Sequence, residues 1–277
     1  TNIITIEDAR IVEIDDKIIL QCVEAEAGNG AHYLVFYSMS KDDFERSLRD
    51  PEAGSSWKWE RRSRISSWGS SKNGNLIRLG DGRYLTYANL YGKPHNNEGI
   101  FAFTSLSLDG HWTGPMAIEG LKSKKNPEHK GGDWISPGAP FMPIRINNKD
   151  YLFLICNETY AVDSELKNRV YRPVAVIVDA TDPTKVVYRG DKPLFEPDKV
   201  PSQKEWVSNV VYVCGACSLP NKKGPLSLND RILVFYGNND RDIRWIELDL
   251  GKVLNDFTNV LQTPKIITDH LNLRSSN

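Results

Sequence analysis

The sequence predicts an all-β fold built from repeated antiparallel sheets arranged like the blades of a propeller. Apolar runs of five to eight residues, alternating or continuous and bounded by Gly, Asn or Pro, recur along the chain. Corresponding runs return about every 65 to 80 residues, enough for three or four strands and a loop, which suits blades better than solenoid repeats. Helical periodicity is confined to Lys41–Leu48 and Gly251–Phe257. The chain therefore reads as one domain, residues 1–277. Its blade-like units fall at about 1–50, 68–118, 133–190 and 205–255, with a C-terminal tail at 256–277.

In the first unit, Ala9–Ile14 and Ile18–Val23 flank an Asp15-Asp16-Lys17 turn, and Ala31–Tyr37 follows a Gly28-Asn29-Gly30 turn. The second pairs Gly74–Leu79 with Tyr84–Ala88 across Gly80-Asp81-Gly82-Arg83, since Asp-Gly between alternating runs is a hairpin signal. Ile100–Ser105 is its third strand. The third unit reads Ala139–Ile146, an Asn147–Asp150 turn, Tyr151–Cys156 and Arg172–Asp179. The fourth has one strand within Glu205–Ser218 and another from Ile232, ending in a polar tip at Asn238–Asp242. The polar connectors Asp50–Ser56 and Lys122–Gly132 read as solvated loops.

With 277 residues and 40% apolar content the chain can bury a full core. A formal net charge of −1 with scattered Lys and Arg points away from nucleic acid and from anionic membrane surfaces. No run of 18 apolar residues is present, so no membrane-spanning helix is predicted. Four cysteines, Cys22, Cys156, Cys214 and Cys217, are too few for a disulfide framework. Cys214-Gly-Ala-Cys217 spells C-x-x-C, but no helical pattern follows it, so a buried structural pair is expected. The five histidines form no pair at zinc-ligand spacing, and no metal site is predicted. The compartment stays open, with the unpaired cysteines and lack of a visible leader pattern leaning towards the cytoplasm.

No G-x-S-x-G elbow, H-E-x-x-H helix, P-loop or dinucleotide fingerprint occurs. What recurs is an acidic or amide residue at the mouth of each unit's first strand: Glu7-Asp8, Lys72-Asn73, Asp133-Trp134 and Glu205-Trp206. Asp and Asn at strand ends commonly make turns and caps. In a propeller these positions would instead converge on one end of the central channel. Carboxylates flanked by Trp suit glycoside cleavage, in which one acid protonates the departing oxygen and aromatic faces stack on sugar.

Ile6-Glu-Asp-Ala-Arg-Ile11 resembles the E-D-P-R segment of glycoside hydrolase family 130, the β-mannoside phosphorylases and related mannosidases. Trp206-Val-Ser-Asn-Val-Val-Tyr-Val-Cys-Gly-Ala216 resembles that family's V-P-N-V-V-F-P-C-G-A strand, and Phe235–Asp240 its Y-Y-G-A-A-D turn. Asp179–Val186 with Lys192–Pro197 resembles its D-L-E-D-P-S-K-V and E-P-L-L-x-P connector. Trp134–Pro140 stands where the family has its G-A-G-P-P strand. The resemblance implies a five-bladed propeller with a central active site. It implies Asp8 as catalytic acid, acting through a sugar hydroxyl with inversion, Asp240 as sugar ligand and Arg10 as support for Asp8 or the attacker. Asn73, Asp133, Trp134 and Asn209 complete the substrate-binding candidates.

The chain departs from the pattern in three respects. The E-D-P-R proline is Ala9. The phosphorylases surround phosphate with an Arg, a further basic residue and a His; here those places read Ser70-Ser71-Lys72, Ala88-Asn89 and Cys156-Asn157. A dianion needs several charge-assisted donors, and only Lys72 and Arg10 remain as phosphate-binding candidates. Inverting hydrolysis of mannosides by water is therefore expected, with Glu158 as general base, although Glu158 reads equally as a surface loop residue. The alternatives are phosphorolysis, with inorganic phosphate as co-substrate, and a non-catalytic sugar-binding propeller. No cofactor is expected; the partner is an oligosaccharide or glycan, and a homo-oligomer is possible. Finally, the family begins with another blade before E-D-P-R, so further N-terminal sequence, supplying that blade, is expected.

Overall fold

The computed structural model of the protein describes residues 3–27, 30–50, 58–65, 69–91, 98–123, 134–161, 169–196, 210–239 and 242–262. They form four antiparallel sheets in a propeller arrangement. The first contains β1 (Ile3–Ile14), β2 (Lys17–Glu26), β3 (His32–Ser40) and β4 (Glu60–Ile65), with helix α1 (Lys41–Arg49) after β3. The second contains β5 (Ser70–Arg78), β6 (Tyr84–Tyr91), β7 (Gly99–Ser105) and β8 (Thr113–Lys122). In the third, β9 (Trp134–Pro137) and β10 (Met142–Ile146) both pair with the long β11 (Lys149–Ala161), followed by β12 (Arg169–Asp179) and β13 (Val186–Arg189). The fourth has β14 (Val211–Leu219), β15 (Arg231–Asn238) and β16 (Asp242–Asp249), then helices α2 (Leu250–Val253) and α3 (Asn255–Gln262).

Turn chemistry sets these registers. Asn147 (φ 50°) and Asn148 (φ 61°) form the tip between Ile146 and Lys149. Two left-handed residues give a turn whose twist matches that of the flanking strands, and Asn tolerates this conformation. The helices also start on local signals: the Ser40 side chain accepts from the Asp43 N–H, and Asp42 and Asp43 occupy the positive end of α1.

Each pair of successive sheets encloses one core. Between the first and second lie Leu34, Phe36, Leu76, Leu90, Phe103 and Trp112, with Phe36 and Trp112 stacked at 4.9 Å. On β11, Leu152, Leu154 and Cys156 face the second sheet, whereas Tyr151, Phe153 and Ile155 face the fourth. This is why Tyr151–Cys156 is continuously apolar: a strand covered on both faces has no polar side. Phe257 of α3 closes the last core against Tyr151 and Tyr188. Ile243 and Trp245 on β16 and Ile11 on β1 remain exposed on sheet faces.

Three expectations need correction. Ala139–Ile146 is a strand only from Met142: β9 ends at Pro137, and Gly138 follows it with its N–H donating to the Ile155 carbonyl at 2.9 Å. A Cβ at 138 would stand 2.4 Å from that oxygen, so only glycine allows the approach. The strands β4, β8 and β13 escape sequence reading because they are outermost and mostly half-exposed, without a clean apolar alternation. The Cys214/Cys217 pair is not buried as a unit: Cys217 is exposed and Cys214 half-buried, while Cys22 and Cys156 are the buried thiols. A register shift between Val213 and Gly215 changes the alternation along β14 and turns Cys217 outward. Burial pushes the Cys22 thiol up to about 12 and raises that of Cys156, which keeps both protonated.

Candidate active site

The first strands of the four sheets meet around Arg10, and each is interrupted near that level. The β1 register slips between Glu7 and Arg10, that of β5 between Lys72 and Asn75, and that of β14 between Val213 and Gly215. In the third sheet the interruption is the Gly138 break after β9. Such bulges leave a residue unpaired and re-aim side chains. Asp8 (φ 54°) and Asn73 (φ 59°) take the left-handed conformation inside theirs, which Asp and Asn adopt more readily than bulkier residues. Asp8 is exposed; Asn73 is buried.

Arg10 is 2% exposed and ties the sheets together. Its Nη1 donates to the Gly74 carbonyl (3.1 Å), and its Nη2 to the Pro137 carbonyl (3.0 Å) and the Tyr212 hydroxyl (3.3 Å). One guanidinium thus reaches β5, β9 and β14 from β1. Among the described residues no carboxylate forms an ion pair with it, and it shares the neighbourhood of Tyr212 with Asp8. The two groups act oppositely on Tyr212: burial raises that phenol, Arg10 lowers it and Asp8 raises it further. Cys214 feels the same three influences in the same order.

Three half-buried tyrosines from three blades gather here: Tyr91 and Tyr212, both close to Asp8, and Tyr171 beside them. Tyr171 and Tyr212 meet edge to face at 6.1 Å. The Tyr91 hydroxyl is raised by burial, then by the nearby Tyr212, Asp8 and Tyr171. Of these, Tyr212 alone had been visible as a motif position, standing where the family pattern has Phe; Tyr91 and Tyr171 are ordinary strand residues in sequence. Together they make an aromatic wall beside an exposed carboxylate, suited to the apolar faces of a sugar ring.

The places where the resemblance puts phosphate-binding cations are filled otherwise. Asn89 and Asn157 are fully buried amides that join blades. Asn89 Nδ2 donates to the Gly99 and Ile135 carbonyls, each at 2.8 Å. Asn157 Nδ2 donates to the Val213 carbonyl (3.1 Å) while its Oδ1 accepts the Val213 N–H (2.9 Å), as a backbone partner would. Asn75 likewise donates to the Ala139 carbonyl at 3.1 Å. Lys72 pairs with Glu7 at 3.3 Å; burial alone would raise the Glu7 carboxyl, but Lys72 and the Thr5 hydroxyl hold it below its ordinary value.

Glu158 is not a surface loop residue. It sits buried on β11 with Arg189 Nε donating to Oε1 at 2.8 Å and the Tyr160 hydroxyl donating to Oε2. Trp134, Ile135, Lys122 and Ser123 line the same small crevice. Glu158 and Trp134 share this crevice, which Asp8, Arg10, Asn73, Tyr91, Tyr171 and Tyr212 do not line. Asp133, Asn209 and Asp240 lie outside the described residues. No group of three His, Cys, Asp or Glu among the described residues is placed to hold a metal.

A family model described as beta-1,4-mannooligosaccharide phosphorylase, glycoside hydrolase family 130, matches residues 1–259. The chain belongs to glycoside hydrolase family 130. This family-130 chain is 36% identical over 95 residues to the 1,2-beta-oligomannan phosphorylase of Thermoanaerobacter sp. (strain X514), covering 34% of the chain and 27% of that protein. It is 34% identical over 86 residues to a Beta-1,2-mannobiose phosphorylase of the same organism, covering 31% and 26%. The structure of Beta-1,2-Mannobiose phosphorylase from Listeria innocua superposes with a TM-score of 0.62 at 20% identity, over 92% of this chain and 61% of that one. The alignments thus span about a quarter of the two curated relatives and three-fifths of the solved one.

Proposed function

We propose that the protein cleaves β-mannosides with inversion, using water as the attacking group and Asp8 as the acid. The observation that carries this reading is the burial of Asn89 and Asn157: where phosphorolysis needs charged donors, the chain has neutral amides fully committed to blade-to-blade hydrogen bonds. Asp8 has the exposure an acid needs to reach a sugar hydroxyl, and the buried Arg10 charge is available to stabilise the carboxylate left after proton donation. The tyrosine wall supplies the stacking surface, and Asp240, by family resemblance, binds the sugar in the cleavage subsite. Asn73, Asp133, Trp134 and Asn209 are the remaining substrate-side candidates. Glu158, the candidate for activating water, is ion-paired with Arg189 in a crevice that Asp8 does not line, and it can act at the Asp8 site only if it leaves both.

The second reading is phosphorolysis, favoured because both curated relatives are named phosphorylases. It would require Lys72 to leave Glu7 and join Arg10 at a phosphate. The two readings separate in one assay on β-1,2- and β-1,4-mannobiose, with and without inorganic phosphate. Hydrolysis predicts mannose alone at a rate indifferent to phosphate, and abolished in Asp8→Asn. Mannose 1-phosphate formed only with phosphate would overturn the first reading, and undiminished turnover by Asp8→Asn would remove the acid assignment under both.

A further inference from the structure

We propose that the Tyr212 hydroxyl is a positioning group for the acid site, holding the two bulges that carry Asp8 and Asn73 in register with each other. The inference rests on Asp8 being the acid. Its ground is that one phenol oxygen joins polar side chains from two other inner strands. It accepts from Arg10 Nη2 of β1 at 3.3 Å and donates to Asn73 Oδ1 of β5 at 2.7 Å.

The direction of every hydrogen in this chain of bonds follows from its far end. Asn89 Nδ2 faces two carbonyls, Gly99 and Ile135, so its two hydrogens are spoken for and its Oδ1 must face Asn73. That oxygen is met by Asn73 Nδ2 at 3.2 Å. Asn73 therefore presents only its oxygen to Tyr212, and Tyr212 must donate there. With its proton committed, the phenol can only accept from Arg10 and from the site. It is consequently not a rival acid to Asp8. Its role is to connect Arg10, two residues beyond Asp8, to Asn73, which occupies the matching bulge in the next blade.

The hydrogen bonds also say what its removal does. In Tyr212→Phe, Arg10 Nη2 keeps the Pro137 carbonyl. Only Asn73 Oδ1 is left without a donor. The fold should hold while the bulges lose their tie. Small misplacements of a reacting group cost up to about a hundredfold in rate. On β-1,2- and β-1,4-mannobiose, Tyr212→Phe is expected to lower kcat about tenfold to a hundredfold, with KM within about twofold and a thermal midpoint lowered by no more than the roughly 2–10 °C that one unpaired buried acceptor costs. The double variant Tyr212→Phe/Asn73→Ser should be no slower than the slower single, because the two groups act as one unit. Wild-type kcat in Tyr212→Phe, or losses that multiply in the double variant, would overturn the proposal. Asp8→Asn measured alongside keeps the two claims apart. If it retains turnover, the acid assignment fails; if it is dead while Tyr212→Phe runs at the wild-type rate, only the positioning role fails.

Discussion

Replacing Asn157 by Ala tests whether the amide at the family's histidine position is scaffold. Asn157 is fully buried and makes two bonds to the Val213 backbone, one in each direction, at 3.1 and 2.9 Å. The alanine variant removes both and leaves a buried N–H and a buried C=O of β14 without their partner. Each such loss costs about 1–3 kcal/mol, so the interface between the third and fourth sheets should weaken by roughly 2–5 kcal/mol. For a chain of this size each kcal/mol lowers the thermal midpoint by about 2–4 °C, which predicts a fall of roughly 5–15 °C in calorimetry. Asn157→Asp separates hydrogen bonding from volume. A carboxylate can still accept the Val213 N–H but faces the Val213 carbonyl with no hydrogen to offer. It should be at least as destabilised as the alanine variant at neutral pH. A wild-type midpoint in either variant would refute the reasoning, and with it the argument that this position cannot serve an anion.

Two further outcomes follow from buried charge. Glu24 is almost completely buried and accepts from Arg61 at 2.9 and 2.7 Å and from the Tyr37 hydroxyl. Arg61→Ala should destabilise by about 2–3 kcal/mol in urea unfolding, less than a fully buried pair would because the arginine side chain is 42% exposed; Arg61→Ala/Glu24→Gln should recover part of the loss. Asp179 is held well below the usual carboxylate range, first by Lys149 (2.8 Å) and then by the Thr181 hydroxyl and N–H. The folded state thus takes up this proton later than the unfolded chain as pH falls. The stability it contributes is complete above the ordinary aspartate value and is lost as pH drops from about 4 towards its depressed value. Thermal midpoints at pH 7, 4 and 3 should converge between wild type and Asp179→Asn; a constant gap would show that the carboxylate is not the source.

The lesson of Tyr151–Cys156 is that strand identity and the stacking of sheets were legible from local pattern. A continuously apolar six-residue run can be satisfied only between two other layers, and Leu152 and Phe153 do face different cores. Asp-Gly and Asn-Asn tips announced their hairpins because left-handed backbone is required there. The outer strand β4, reading Glu-Arg-Arg-Ser-Arg-Ile, was invisible, since its polar side chains find partners such as Glu24 and Glu26 only after the sheet has formed.

At the site, the sequence by itself determined the family motifs, singled out Asp8 and Asn73 by their place at strand mouths, and gave Arg10 through the family resemblance. What each side chain does was decided only by the tertiary structure. Arg10 reads as a free cation in sequence, yet its bonds are to carbonyls and a phenol from three other strands, separated from it by 64 to 202 positions. Glu158 reads as a loop carboxylate and is an ion-paired strand residue. Asn89 and Asn157 look like losses from a phosphate site and prove to be staples between blades. Hydrogen-bond partners are a property of convergence, and where the inner strands of four sheets are drawn into one ring, no local pattern records which groups will meet.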